Sequence, residues 1–290
     1  MAKMGDLPER VVRFYGNPDY ALDAIAHRSI SFIHATKLND PFDPYFFFES
    51  DFDFKYDLMF DYVKKHHPNS LAAFKDLVPT DDWEQSVAKV KTYLDNMKKS
   101  TFVFSCSAVL NKLHPIDNLY MWGHYGNGHR GIAIEFDTVK ISENILTVHV
   151  DNKKIKLSPE QAWIQIEYKK DAPLITKRIL FDFFMDGLRG DEERSDLANY
   201  FSQTARIKSY VWKKENEWRM LWSNDETRQK IHRVTVPEGS IYAVYVGLVA
   251  SDTVADDIVF ETSQKFPTAK IYRARKKPGF SGLDFEEIRA

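Results

Sequence analysis

Cysteine is almost missing from this chain. Cys106 is the single one in 290 residues, which excludes an intramolecular disulfide and any zinc site built on several thiolates. No apolar run approaches the roughly 20 residues that a membrane-spanning helix needs. Met1–Arg10 lacks the apolar core of a signal peptide. Net charge is nearly missing too: 40 Lys and Arg against 42 Asp and Glu leave −2, so no global field recruits nucleic acid or a membrane. There is no Walker-type phosphate loop, no G-x-G-x-x-G after a strand and no G-x-S-x-G elbow. Repeats and low-complexity tracts are absent as well. A cytoplasmic globular protein with no membrane partner is expected. Its 43% hydrophobic and 14% aromatic content suits a large packed core.

What the chain does have is concentrated at Met121-Trp122-Gly123-His124-Tyr125-Gly126-Asn127-Gly128-His129-Arg130-Gly131, which runs straight into Ile132–Phe136. A Trp, two His, a Tyr and an Arg are threaded by four glycines, and glycine permits backbone approaches that a Cβ would block. The segment is either a ligand loop held by a strand or an aromatic corner packing a helix on a sheet. Elsewhere, strands are expected at Arg10–Tyr15, Ile30–His34, Thr101–Cys106, Gly131–Phe136, Ile145–Val150 and Trp163–Tyr168. More follow at Glu217–Trp222, Ile231–Val236, Ile241–Val246, Lys270–Arg273 and Leu283–Ile288. Helices are expected at Tyr20–Arg28, Phe54–His66, Asp81–Lys99, Ile116–Tyr125, Leu174–Gly187, Glu192–Tyr210 and Ala255–Lys265. Leu38–Pro44, with two prolines, reads as a fixed loop. Strands early and late around a helical middle give a single α+β domain over residues 1–290, with mixed, mainly antiparallel sheets and helical insertions at about 51–100 and 172–210.

Strand alternation sorts the candidate groups by face. Glu215, Glu217 and Arg219 share one side of their strand, while Trp218, Met220 and Trp222 share the other. Two carboxylates two positions apart raise each other's pKa unless cations compensate. That suits chemistry, but a solvated edge strand with an ordinary Glu–Arg pair gives the same pattern. Ser105 falls opposite Phe102, Phe104 and Cys106, as a site hydroxyl or as a strand-end serine. Cys106 lies on the phenylalanine face, which favours an inert buried thiol over a nucleophile served by His124. Arg13 offers a fork to phosphate or is a surface arginine. His114, His124 and His129 match no zinc spacing, so no metal is expected. Metal-dependent hydrolysis through His124, His129 and Glu135 is the weakest of the readings.

In order along the chain come Arg10–Tyr15, Asn39-Asp40-Pro41-Phe42-Asp43, Phe104-Ser105, Met121-Trp122-Gly123-His124-Tyr125 and Trp212–Arg219. This series resembles the bacterial family of unknown function DUF2971, from about residue 10 to 288. A fainter resemblance is to ADP-ribosyltransferases, through Arg13, Ser105 within Ser105-Cys106-Ser107, and Glu217 within Glu215-Asn216-Glu217. The middle element departs from the usual Ser-Thr-Ser, and a long helical insertion separates it from Arg13. That second resemblance implies a split β core and NAD as substrate. It implies Glu217 and Glu215 as catalytic groups, with Arg13, Ser105, Trp122, His124, Tyr125, Asn39 and Asp40 binding the dinucleotide. The implied activity is transfer of ADP-ribose to a protein or nucleic acid, or NAD hydrolysis, in toxin or phage-defence systems. The alternative is a non-catalytic nucleotide- or nucleic-acid-binding module of such a system.

Overall fold

The computed structural model describes residues 7–40, 43, 47–48, 55–109, 114–142, 147–150, 153–156, 163–171, 173–187, 200, 203–223 and 231–288. Pro41, Phe42, Pro44, Phe54, Ile145, Leu146, Gly190 and residues 192–199, on which some of the expected elements rest, lie outside the described residues. The chain opens with β1 (Arg10–Tyr15), α1 (Pro18–Ala26), β2 (Ser29–His34) and the short β3 (Phe47–Phe48). Three helices follow, α2 (Tyr56–His66), α3 (Leu71–Leu77) and α4 (Trp83–Ser100), and lead into β4 (Thr101–Ala108). Next come α5 (Leu119–His124), β5 (Ile132–Asp137), α6 (Thr138–Ser142), β6 (Thr147–Val150), β7 (Lys153–Lys156), β8 (Trp163–Gln165), β9 (Glu167–Lys169), β10 (Leu174–Ile175) and α7 (Lys177–Gly187). The last third holds β11 (Ile207–Ser209), β12 (Glu217–Ser223), β13 (Ile231–Thr235), β14 (Ile241–Val246), α8 (Asp252–Lys265), β15 (Lys270–Lys276) and β16 (Leu283–Glu287).

The central sheet runs β13-β2-β4-β1-β5-β14-β15-β16, with β12 on the other edge of β4 and β8 beyond it. Its pairs are antiparallel except β14 with β15. The fold class is α+β with a mainly antiparallel sheet, as expected. Alternation puts consecutive residues in different cores: Val11 joins Phe104, Trp218 and Met220 with Ile25 of α1 and Ile258 of α8. Val12 joins Trp122, Ala133 and Tyr245 on the opposite face. The helices α2, α3, α4 and α7 form a third core, in which Met59, Phe74 and Trp83 meet Leu180 and Phe184.

The structure corrects four local expectations. Ile207–Ser209 is a strand, not helix, because it pairs in parallel with β9; tertiary pairing overrides local pattern there. Trp163–Tyr168 breaks at Ile166, whose N–H donates to the Glu217 carbonyl. Leu174 and Ile175 pair with β3 before the helix starts. Ile116–Tyr125 is two pieces, since Asn118 is extended and its side chain caps α5 by accepting from the Tyr120 N–H. Among the described residues, no helix is long and apolar enough to cross a membrane.

Glycine is required where β5 begins. A Cβ on Gly131 would stand 2.2 Å from the Tyr15 carbonyl oxygen, whereas one on Gly123, in α5, meets nothing within 4 Å. Gly131→Ala is expected to destabilise the fold by about 1–3 kcal/mol, the usual range for overpacking. Gly123→Ala should be neutral or gain up to about 1 kcal/mol from helix propensity. Denaturant titration of both variants checks the contrast, and equal midpoints would refute it.

Candidate functional site

The site lies where the central sheet comes apart. β12 pairs β4 from Thr101 to Ser107, which fills one edge of that strand. The other edge is shared: β2 pairs Phe102 and Val103, and β1 pairs Ser107 and Ala108. Among the described residues, Phe104, Ser105 and Cys106 therefore have a strand partner on one side only. A cleft of about 400 Å³ opens in this gap, within the range of small-molecule sites. Backbone groups there need other partners. Arg13 supplies one, its Nη1 donating to the Ser105 carbonyl at 3.0 Å, with the guanidinium 4.7 Å from the centre of the Phe104 ring.

The floor is a run of charges hidden from water. Arg219 is 1% exposed, yet every one of its N–H groups is used. Its Nε donates to Glu217 Oε1 at 2.6 Å and its Nη2 to Glu217 Oε2 at 3.1 Å. Nη1 donates to Asp43 Oδ1 at 2.8 Å and to the Ala205 carbonyl at 3.3 Å, and Nη2 also donates to Asp43 Oδ2. The buried ammonium of Lys208 donates to Glu215 Oε2 at 2.7 Å and Glu217 Oε2 at 3.0 Å, and stands 3.8 Å from Asp43. The Tyr125 hydroxyl completes the chain by donating to Glu215 Oε1 at 2.5 Å.

Local backbone explains how two carboxylates meet one lysine. Glu215 ends a 3₁₀ turn, Tyr210–Glu215, and Asn216 takes a left-handed conformation at φ 45°, ψ 54° before β12 starts. Asparagine tolerates that region better than most residues. The Glu217 N–H is fixed by donating to the Tyr168 hydroxyl at 2.8 Å. Tyr168 sits on β9 opposite Lys208 on β11, so this small parallel pair carries both groups to the site.

The environments drive the two carboxylates apart. Burial would raise Glu217, but the charges of Arg219 and Lys208, with hydrogen bonds from Arg219 and Ser105, outweigh it and hold the carboxyl at about 2. Burial also raises Glu215, and there Lys208 and the Tyr125 hydroxyl do not fully compensate, so its carboxyl stays above the ordinary value. Burial would lower Lys208, but Glu217 and Glu215 keep it charged. Among the described residues, the cluster holds three carboxylates against two cations. Its net charge is −1 when Glu215 is ionised and zero when it is protonated.

The cleft brings together Arg13, Asn39, Asp40, Ser105, His124, Tyr125, Glu215 and Glu217. Trp122 is not with them. Met121, His124 and Tyr125 follow helical spacing and face the cleft, while Trp122 turns off that face. It is fully buried, edge-on to Phe14 at 5.1 Å, with its indole N–H donating to the Ile116 carbonyl at 2.7 Å. Glu217 is not on a solvated edge either, because β12 is paired on both sides, and Glu215 lies off that strand, buried at the end of the 3₁₀ turn. Cys106 is buried, and burial pushes its thiol up, against a nucleophilic role.

His124, His129 and Glu135 have separate surroundings. His129 stacks near Trp122, and Glu135 is held by Arg10 at 3.0 Å and by the Tyr245 hydroxyl at 2.6 Å. Among the described residues, no group of three His, Cys, Asp or Glu side chains is placed to hold a metal ion.

Lys208 and Tyr168 carry no signal in the sequence. Asp43 had one, its place in Asn39–Asp43, where the Asp43 N–H donates to the Asp40 carbonyl and turns the chain inward.

Residues 121–220 match the model of the family described as "Protein of unknown function (DUF2971)". The DUF2971 match is shorter than the span of about 10–288 expected from the motifs. It takes in most of α5, all of β5, Lys208 and Glu215–Arg219, and it leaves Arg13, Asp43 and Ser105 outside. No curated protein and no solved structure matches the chain.

Opposite signs are expected for the two carboxylates in stability. Glu217, lowered from 4.5 to about 2, contributes stability that is present above pH 4.5 and lost as pH falls toward 2. Glu217→Gln leaves buried cations short of an anion and should cost about 3–5 kcal/mol at pH 7, a deficit that shrinks in acid. Glu215 is raised, so its contribution is present at low pH and is lost as pH rises through its folded-state value. Glu215→Gln should therefore match or exceed the native protein in Tm at pH 7, with the gap closing in acid. Thermal melts from pH 3 to 8 decide it, and a Glu215→Gln protein as destabilised as Glu217→Gln at pH 7 contradicts this account.

Proposed function

We propose that this chain is an ADP-ribosyltransferase-like enzyme that cleaves NAD and passes ADP-ribose to a macromolecular acceptor, or to water. One observation carries the reading: Arg13, Ser105 and Glu217, from distant parts of the sequence, line one gap in the sheet, with Glu217 kept ionised. In the reaction, the bond between ribose C1′ and the pyridinium nitrogen breaks. Nicotinamide leaves neutral with the bonding pair, and positive charge develops on the sugar. A fixed, desolvated anionic cluster stabilises that charge without reorganising. The acceptor oxygen or nitrogen then bonds to C1′ and gives its proton to Glu215, whose raised pKa suits a base.

Arg13 lines the cleft and would meet a diphosphate, for which a guanidinium is well shaped. Asn39 and Asp40 lie at the rim, where ribose hydroxyls would find polar partners, and His124 and Tyr125 offer ring surfaces. NAD loss harms the cell that holds it, which is the basis for a toxin or phage-defence setting. One observation favours the non-catalytic alternative: both Glu217 oxygens already carry hydrogen bonds from cations.

Incubation of the protein with NAD, with and without protein and nucleic-acid acceptors, is expected to release nicotinamide. Glu217→Gln should cut that rate about 100- to 1,000-fold, the loss typical of removing one charge stabiliser. Should Glu217→Gln fail to fold, Ser105→Ala tests the same carboxylate with a milder loss. The rate should also fall as acid protonates Glu215, on a limb above the ordinary carboxylate value, and Glu215→Gln should abolish that limb. NAD binding with no nicotinamide release under any acceptor condition would instead establish the binding module.

A further inference from the structure

At one rim of the cleft, two segments without a single carboxylate lie side by side. Residues 118–134 contain Arg130 and two histidines but no Asp or Glu, and residues 203–214 contain Arg206, Lys213 and Lys214, besides the buried and paired Lys208, but no Asp or Glu. This stands out in a chain whose overall balance is −2. The segments touch: Asn118 Nδ2 donates to the Lys214 carbonyl at 3.1 Å. Where they meet, the rings of Tyr120, His124 and Trp212 cluster, with centroids 4.2 Å apart for Tyr120 and His124 and 6.2 Å for His124 and Trp212. His124 lines the cleft and is exposed. Outward from Trp212 the surface continues through Tyr210, 47% exposed, and Val211, 73% exposed, with Lys213 and Lys214 also in solvent.

We infer that this rim is a platform for single-stranded nucleic acid. Half-exposed rings beside exposed lysines meet both needs of such a ligand, since unstacked bases lie on aromatic faces and the phosphates are met by cations. An acidic peptide would use the lysines and leave the rings idle. A duplex keeps its bases stacked and cannot use the rings either. The exposed Lys213 and Lys214 supply a local attraction that the balanced whole chain lacks. The platform adjoins Glu215 through the 3₁₀ turn Tyr210–Glu215, so a strand lying on it reaches the cleft mouth. That the strand is the acceptor rests on the ADP-ribosyl transfer reading; that it binds does not.

The test is fluorescence anisotropy of the full chain, without NAD, against labelled 12-nucleotide RNA and DNA single strands, a duplex of the same sequence and a polyglutamate peptide. At least one single strand is expected to bind, more weakly as salt rises, with the duplex and the peptide at least roughly 10-fold weaker. Lys213→Ala with Lys214→Ala, both in solvent, should weaken strand binding and flatten its salt dependence by up to about 0.7 in log–log slope for each phosphate no longer neutralised. Trp212→Ala should weaken it roughly 10-fold, as loss of one stacked base does. The lysine pair keeps the test decisive if Trp212→Ala does not fold. Absence of strand binding, equal binding of the duplex or peptide, or indifference to the lysine pair would overturn the platform. Strand binding without nicotinamide release under any condition would sink the enzyme reading alone, and nicotinamide release without strand binding would sink the platform alone.

Discussion

Arg219 is an arginine that does not meet water, and much of the site is arranged to make that tolerable. Taking an unpaired ion out of water costs several kcal/mol even after relaxation, so its buried guanidinium needs anions on both sides. It takes Asp43 from 176 residues away in the chain and Glu217 from two residues away. Two carboxylates and one arginine leave an excess negative charge, and Lys208 arrives on β11 to meet it. Lys208 in turn bonds Glu215, and Glu215 takes the hydroxyl of Tyr125 from the end of α5. One burial thus ties a loop, two strands and the end of a helix to a single cluster. Positions so determined do not wait for a ligand, which is the condition for a preorganised site.

The same network shows a conflict that stability alone would have removed. A hydrophobic set of similar volume is often at least as stable as a buried ion cluster. Here three carboxylates share two cations, and Glu215 is left titrating above its ordinary range. The backbone carries a matching irregularity, with Asn216 left-handed between the two glutamates. A buried charge imbalance lining a cleft is a common mark of a functional site.

Much of this was legible in the chain. Alternation placed Glu217 and Arg219 together, opposite Trp218 and Met220, because a period of two is enforced by the pleat. The same rule set Ser105 opposite Phe104, and the register confirms it by pairing Arg219 with Ser105. Trp122 was misplaced because ring-rich sequence says nothing about rotation about a helix axis; one residue's turn of about 100° sent it to the core while Met121 and Tyr125 kept the cleft. Lys208 could not be found, since its role depends on the parallel pairing of β11 with β9, a pairing of segments far apart in the chain. Nor could the separation of β1 from β4 be read, because a pair that closes at two residues and then parts leaves no periodic trace.

That parting has a consequence for how the molecule can be watched. Cys106, the single thiol of the chain, stands on the stretch of β4 left without a partner on one edge, and it is 4% exposed. At that exposure a thiol reagent reaches it only when the packing around β4 loosens. Its modification rate therefore reports a breathing motion and not a surface property. The residue that excludes a disulfide and a thiolate metal site is thus a probe of local opening in the sheet around the cleft.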